Sequence, residues 1–181
     1  VKHWTENLFS FRIARPESFK FRSGEFVMIG LLDSDDKPIL RAYSICSPSW
    51  SEELEFYSII VKDGPLTSKL KNIKIGDDII MMPKSTGTLV LDALKPGKRL
   101  FLLSSGTGFA PFAALIREPE TYERFESIII THTCRMIPEL AYSESIIQEC
   151  KNDDLVKEFI DNKLLSYHST TRDDYIFNGR I

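Results

Sequence analysis

Cysteine is scarce in this sequence, with only Cys46, Cys134 and Cys150 among its 181 residues. Their odd number and wide spacing exclude a disulfide framework and a CxxC-type metal site. They also exclude an iron–sulfur cluster held by four cysteines of this chain. Unpaired cysteines are typical of a reducing compartment, so we expect a cytoplasmic protein with no metal site.

Long apolar runs and an excess of basic residues are also missing. No apolar run approaches the ~20 residues that a membrane-spanning helix needs. A basic segment followed by an apolar stretch is not seen either, so we do not expect a secretory signal. The formal net charge is -3, without the stripe of Lys and Arg that binding to a phosphate backbone requires. We therefore expect neither a membrane nor a nucleic acid as partner.

The first half of the chain consists of short strand-like segments. Phe9, Phe11 and Ile13 alternate with polar residues, as in a half-buried strand. Further strands are predicted at residues 26–32, 39–46, 54–62, 77–82 and 88–91. Residues 65–73 are the exception, because Leu66, Leu70 and Ile73 recur at helical spacing. Short strands separated by turn residues indicate an antiparallel sandwich or barrel.

The pattern changes after Lys95-Pro96-Gly97. Strands are predicted at residues 99–104, 127–131 and 164–169, and helices at residues 110–116, 139–150 and 155–160. Strands that alternate with helices are typical of a parallel sheet in an α/β domain. We therefore predict two domains, residues 1–97 and residues 98–181. Because the chain starts at Val1 and ends on a turn, we expect a fragment whose α/β module is incomplete.

Arg41, Ala42, Tyr43 and Ser44 lie in the middle of a predicted strand. An ordinary strand with a surface Arg and a partly buried Tyr explains them about as well as a binding site does. The binding interpretation is chemically specific. A guanidinium suits a diphosphate, a phenol offers a flat face, and a small hydroxyl can approach the redox-active edge of a flavin.

Two turns are candidates for phosphate or nucleotide binding. Gly64-Pro65-Leu66-Thr67-Ser68 opens the predicted helix of the first half, where backbone N–H groups and hydroxyls can form an anion site. Simple capping of the helix explains it equally well. Gly106-Thr107-Gly108 follows a buried strand and opens a helix, where open α/β sheets bind ligands. It lacks the full GxGxxG pattern, so an ordinary tight turn remains an alternative.

Three arginines follow strands of the predicted α/β module. Arg135 comes after the second parallel strand, and Arg172 and Arg180 come after the third. In dinucleotide-binding folds an acidic residue near this place binds the ribose 2′-OH, whereas Arg accommodates a 2′-phosphate. Solvated surface arginines are the alternative for each one. His132 is explained as a core histidine with satisfied hydrogen bonds, and it is assigned no role.

The order of these motifs resembles the bacterial ferredoxin (flavodoxin)–NADP reductases over nearly the whole chain. The resemblance rests on RAYS, YSIIVKDGPLTSKL, PKSTGTLV, LLSSGTGFAPF, THTCR and ELAY, in that order. It implies a Greek-key antiparallel β-barrel that binds FAD, followed by an α/β parallel-sheet module that binds NADP(H). Family members begin earlier and continue beyond Ile181, with a strand that ends in a Cys-Gly motif and C-terminal residues that cover the flavin.

The resemblance also implies roles for individual residues. Arg41 would hold the FAD diphosphate, Tyr43 would stack on the isoalloxazine, and Ser44 would hydrogen-bond near the hydride-accepting nitrogen, which makes Tyr43 and Ser44 the catalytic candidates. Thr107 would lie where flavin and nicotinamide meet. The remaining implied residues are Ala42, Tyr57, Gly64, Pro65, Leu66 and Thr67 for FAD, and Arg135, Arg172 and Arg180 for the 2′-phosphate.

The implied activity is electron transfer between NADPH and a ferredoxin or flavodoxin through FAD, by a monomer that meets its acceptor transiently. Three alternatives stay open. An NADH-dependent flavin or cytochrome reductase has the same scaffold, although Arg135 argues against it. A non-catalytic flavin-binding subunit would retain the barrel, and an inactive fragment would retain the fold alone.

Overall fold

The first half of the chain forms two antiparallel sheets. The computed structural model describes residues 1–180. The strands of this half are β1 (Lys2–His3), β2 (Leu8–Ala14), β3 (Phe26–Leu32), β4 (Pro38–Ser44), β5 (Glu53–Ile59) and β6 (Ile80–Met81), and its helix is α1 (Thr67–Leu70). The sheet orders are β1-β2-β5 and β4-β3-β6. An antiparallel bridge between Ile45 and Phe56 joins the two sheets at their edges. The predicted antiparallel, barrel-like architecture is therefore confirmed.

The inner faces of these sheets enclose an aromatic core. Phe9 and Phe11 of β2 and Val27 and Ile29 of β3 are buried at alternate positions, because successive side chains of a strand point to opposite faces. Phe56 packs against Phe11 with ring centroids 5.4 Å apart. This core fixes β4 against β3, and thereby fixes the strand that carries the predicted flavin motif.

The second half forms a three-stranded parallel sheet. Its elements are β7 (Arg99–Ser105), α2 (Ala110–Leu115), α3 (Pro119–Arg124), β8 (Ser127–Cys134), α4 (Ala141–Asn152), α5 (Lys157–Lys163) and β9 (Leu164–Thr170), with the strands in the order β7-β8-β9. Leu100 and Leu102 are buried under the helices, whereas Phe101 and Leu103 are 56% and 55% exposed on the other face. The parallel sheet is therefore covered on one face within residues 1–180, and its prediction is confirmed.

The two halves share a hydrophobic core. Leu8, Cys46 and Tyr57 from the first half belong to the same buried cluster as the helices of the second half. Tyr57 stacks on Tyr142 of α4 with centroids 4.0 Å apart and an interplanar angle of 16°. We call this cluster the shared core. It holds the parallel sheet against β2 and β5, so that the strand ends of the second half face the first half.

Two predicted elements need correction, and one helix is missing from the prediction. The strand predicted at residues 88–91 is wrong, because Leu91–Ala93 is a 3₁₀ turn whose apolar side chains pack from a loop. An apolar run this short does not distinguish a strand from a buried loop. The helix predicted at residues 65–73 spans only Thr67–Leu70, and α3 was not predicted. No helix within residues 1–180 is long and apolar enough to cross a membrane.

Candidate functional site

A cavity of about 790 Å³ lies at the carboxyl ends of the three parallel strands. Open α/β sheets bind their ligands at this edge. Leu8 and Ile59 of the first half also line it, so the cavity reaches the boundary between the halves. Its other lining residues are Leu103, Ser104, Ser105, Gly106, Thr107, Thr133, Cys134, Arg135, Glu139, Thr171, Arg172 and Arg180.

The three predicted arginines meet in this cavity. Arg135 follows β8, and Arg172 and Arg180 follow β9. The backbone joins the loops directly, since the Arg172 N–H donates to the Arg135 carbonyl at 3.0 Å. The Ile137 N–H also donates to an Asp173 carboxylate oxygen at 2.7 Å. Within residues 1–180, no carboxylate forms an ion pair with Arg135 or Arg172, so both guanidinium groups can accept an anion.

Glu139 is a residue of this site that the sequence reasoning missed. Its carboxylate accepts hydrogen bonds from the backbone N–H groups of Arg135 at 2.8 Å and Met136 at 3.2 Å. A Pro followed directly by Glu at the start of a helical segment is the signal that could have revealed it, because Glu at the third helical position caps a helix start. The carboxylate fixes the loop that carries Arg135, although it also places negative charge near the arginines.

The predicted glycine-rich turn forms another wall of the cavity. Gly106–Phe109 is a 3₁₀ turn between β7 and α2. Gly106 has φ +51°, and a Cβ built there would meet no atom within 4 Å, so the glycine is required by its backbone conformation and not by crowding. Thr107 is half-buried and lines the cavity. The glycine-rich turn therefore lies between a buried strand and a helix, as the sequence predicts.

Two buried groups, His132 and Cys134, lie beside this turn, and Cys134 also lines the cavity. Burial lowers the pKa of His132 to about 4, so the imidazole is neutral at pH 7. Burial, together with the nearby Glu139 carboxylate, raises the pKa of Cys134 to about 12, so its thiol stays protonated. Within residues 1–180 there is no cluster of His, Cys, Asp and Glu that could hold a metal ion.

The predicted flavin strand presents its polar groups unevenly. Arg41 is exposed, and among residues 1–180 its guanidinium donates only to the carbonyl of Leu40, at 2.8 Å. In the part of the chain that the structure describes, Arg41 forms no ion pair. Ala42 is exposed and Ser44 is half-buried at the end of β4. The second half of β4 therefore offers the exposed guanidinium of Arg41 and the half-buried hydroxyl of Ser44.

Tyr43 lies in the aromatic core and is only 9% exposed. Its ring meets Phe11 and Phe56 edge-on, at centroid distances of 6.4 and 6.2 Å. Its hydroxyl shares a hydrogen bond of 3.0 Å with Ser58, and burial raises its pKa. Protein therefore covers most of the phenol, and only a small part of the ring remains for contact with a ligand.

Tyr57 lies in the shared core. It is 3% exposed, stacks on Tyr142, and its hydroxyl has no hydrogen-bond partner within residues 1–180. Burial raises the pKa of this hydroxyl well above its ordinary value of 10. The predicted contact between Tyr57 and FAD stays a prediction, and in this structure the ring mainly joins the two halves.

The turn before α1 is more compact than predicted. The Thr67 hydroxyl accepts a hydrogen bond from the Val61 N–H at 3.0 Å and thereby closes the loop that contains Gly64. Leu66 is buried and precedes the helix, whereas Pro65 is exposed. Gly64 and Thr67 are half-buried, so the turn lies near the surface of the first half. The exposed guanidinium of Arg41 suits a diphosphate, so the residues present fit an FAD site.

Comparison with known proteins identifies the family. The model of the family described as "Oxidoreductase FAD-binding domain" matches residues 3–100. A flavodoxin/ferredoxin–NADP reductase of Rhodobacter capsulatus is 58% identical over 181 residues, which are all of this chain and 67% of that protein. A ferredoxin–NADP reductase of Azotobacter vinelandii is 47% identical over 181 residues, which are all of this chain and 70% of that protein.

The fold agrees with a solved structure. A ferredoxin NADP+ reductase from Neisseria gonorrhoeae with bound FAD and NADP matches with a TM-score of 0.86 and 28% identity, over 99% of this chain and 70% of that one. The chain thus spans about two thirds of the length of these three proteins. This chain belongs to the bacterial ferredoxin (flavodoxin)–NADP reductase family.

Proposed function

We propose that this protein transfers electrons between NADPH and a ferredoxin or flavodoxin through bound FAD. The observation that carries the proposal is the cavity in which three arginines and the Gly106–Thr107 turn meet residues of the first half. A dinucleotide bound there would have its phosphates near cations and its other end near Leu8 and Ile59. One site would therefore serve both the nucleotide and the flavin side.

The arginines give the nucleotide end its specificity. A guanidinium offers a planar fork of N–H donors that matches a phosphate, and Arg135 and Arg172 are held side by side by their backbone hydrogen bond. A 2′-phosphate is the group that distinguishes NADP from NAD. We therefore assign Arg135, Arg172 and Arg180 to the 2′-phosphate, and this assignment favours NADPH over NADH.

The flavin end is assigned to β4 and the turn before α1. Arg41, Ala42 and Ser44 lie in the second half of β4, and Gly64, Pro65, Leu66 and Thr67 form the turn before α1. FAD, when bound, accepts a hydride and gives up single electrons, and the protein positions it and tunes its electronics. Arg41 would bind the diphosphate, Ser44 would orient the redox-active edge, and Tyr43 and Tyr57 would support the site from beneath.

The partner of the reaction follows from the family. Ferredoxin or flavodoxin is the expected acceptor, bound transiently, by a monomer in the cytoplasm. The monomeric state and the cytoplasmic location remain predictions from the sequence. Gel filtration with the reduced and oxidised protein would measure the oligomeric state directly.

Replacing Arg135 and Arg172 with Ala tests the nucleotide assignment. Hydrogen bonds to charged groups contribute about 1.5–3 kcal/mol each, so loss of either one should weaken NADPH binding by about one to two orders of magnitude. NADH binding should change little, because it lacks the 2′-phosphate. Titration of the FAD-loaded protein with both nucleotides measures the two dissociation constants.

Arg99→Ala is the matched control for this experiment. Arg99 begins β7 at the opposite edge of the same sheet and is exposed, so the variant loses the same charge without touching the cavity. It should bind both nucleotides like the unmodified protein. If the Arg135 and Arg172 variants bind NADPH and NADH equally weakly, the assignment of these arginines to the 2′-phosphate is refuted. A protein that takes up no FAD would refute the proposed function.

A further inference from the structure

His132 lies behind the cavity wall, and the reaction described above leaves it without a role. It belongs to β8 and is 1% exposed. Its Nε2 lies 2.9 Å from the Gly106 carbonyl oxygen, and its Nδ1 lies 2.7 Å from the Ser143 hydroxyl. The Phe109 ring covers it, with centroids 5.0 Å apart. Both ring nitrogens are therefore engaged, one of them by the glycine-rich turn.

The hydrogen bonds determine which nitrogen carries the proton. A carbonyl oxygen only accepts, so Nε2 must be protonated to donate to Gly106. A neutral imidazole has one N–H, so Nδ1 is an acceptor, and the single proton of the Ser143 hydroxyl is shared between Nδ1 at 2.7 Å and the Leu140 carbonyl at 2.9 Å. The Ser143 oxygen then accepts from Nε2 of His168, which lies 3.1 Å away. The Gly106 carbonyl, which only accepts, therefore selects the tautomer that is protonated on Nε2.

The bond to Gly106 also orients the next peptide group. The peptide between Gly106 and Thr107 is trans, so its carbonyl and its N–H point in opposite directions. The Gly106 carbonyl contacts the buried His132, so the Thr107 N–H points away from His132, and both residues of this peptide line the cavity. This N–H belongs to the first turn of a 3₁₀ helix, whose N–H groups have no partner within the helix.

We propose that His132 is a positioning residue that holds the Gly106–Thr107 peptide so that the Thr107 N–H donates to an oxygen of the nicotinamide half of NADP(H). The inference rests on the proposed function. Gly106 and Thr107 follow β7, whereas Arg172 and Arg180 follow β9, two strands away, or about 10 Å at the usual spacing. The turn and these two arginines therefore contact different parts of one nucleotide.

Two substitutions of His132 separate its ring nitrogens. A Gln side chain brings its amide nitrogen to the place of Nε2, so His132→Gln can still donate to Gly106. An Asn side chain is one methylene shorter and reaches only the place of Nδ1, so His132→Asn loses the bond to Gly106 and retains one toward Ser143. The two variants have similar polarity, and they differ in the hydrogen bond to the Gly106 carbonyl.

The experiment measures binding to the FAD-loaded protein by calorimetry, with NADP+ and with 2′-phospho-AMP. The second ligand carries the 2′-phosphate and lacks the nicotinamide half. His132→Asn should bind NADP+ about three- to tenfold more weakly, the range for one neutral hydrogen bond, with no change for 2′-phospho-AMP. His132→Gln should bind both ligands like the unmodified protein.

Other results would overturn the inference. Equal weakening of both ligands, or equal loss in the Gln and Asn variants, would mean that His132 only supports the fold. If His132→Asn does not fold, His132→Leu gives the same test, because an apolar side chain fills the buried place and offers no donor to the Gly106 carbonyl, so it should weaken NADP+ alone. An unmodified protein that binds 2′-phospho-AMP and NADP+ equally well refutes the Thr107 contact, whereas one that binds neither refutes the proposed function.

Discussion

The ion pair between Glu55 and Arg117 joins the two halves and permits a quantitative prediction. Arg117 follows α2, is 8% exposed, and lies 3.1 Å from the carboxylate of Glu55 on β5, which is 4% exposed. The Tyr142 hydroxyl donates to the same carboxylate at 3.3 Å. Burial alone would lower the pKa of Arg117, but Glu55 and the other anionic groups around it raise that pKa. The pair is therefore buried and well satisfied.

Arg117→Met removes the cation and leaves Glu55 buried. Breaking a buried pair in this way costs about 3–5 kcal/mol, because the remaining charge loses its partner. Arg12 still lies 3.6 Å from Glu55, so we expect the lower end of this range, about 3 kcal/mol. Denaturation by guanidinium chloride measures the free energy of unfolding. The double variant Glu55→Gln with Arg117→Met should recover part of the loss, because no buried charge remains.

Arg124→Met is the control, since it makes the same change at the surface. Arg124 pairs with Asp92 at 3.5 Å and Glu120 at 3.4 Å, and both carboxylates are well exposed. Exposed pairs contribute about 0–1 kcal/mol. Equal losses in Arg117→Met and Arg124→Met would refute the reasoning, as would a double variant that is less stable than Arg117→Met alone.

Two further predictions concern the first half. Tyr43→Ala should lower the amount of FAD that survives gel filtration and destabilise the aromatic core by about 3–5 kcal/mol, whereas Tyr43→Phe retains the ring and should retain FAD; equal retention in both variants would exclude ring contact. Glu25 accepts hydrogen bonds from Ser85 and Arg22 that outweigh the effect of burial and lower its pKa below 4.5. Its stabilising effect is therefore present above pH 4.5 and lost as the pH falls through the lowered pKa, so the stability difference between Glu25→Gln and the unmodified protein should shrink in acid.

The strands and the cavity could be predicted from the sequence because they follow from local patterns. Alternation of Phe9 and Phe11 with polar residues indicates β2, and apolar runs bounded by turn residues indicate β7 and β8. Arg135 and Arg172 could be placed together because carboxyl ends of parallel strands meet at one edge. Their convergence in one cavity confirms that placement, while their role stays a prediction.

The contacts between the halves could not be predicted, because they depend on tertiary packing. Nothing in the spacing around Tyr57 shows that its ring stacks on Tyr142, 85 positions further along the chain. The pairing of Glu55 with Arg117 is equally non-local. His132 is similar, since its bond to Gly106 depends on the register of β7 against β8, which a single sequence does not reveal.

The shared core has a consequence for cooperativity. Leu8, Cys46 and Tyr57 contribute side chains to a hydrophobic cluster that otherwise belongs to the second half. Separating the halves would expose these side chains and the surfaces they cover to water. We therefore expect each half to lose stability when the other unfolds, and the two halves to unfold in a single transition. The predicted boundary near residue 97 separates antiparallel strands from parallel ones, and the shared core packs side chains from both sides of it.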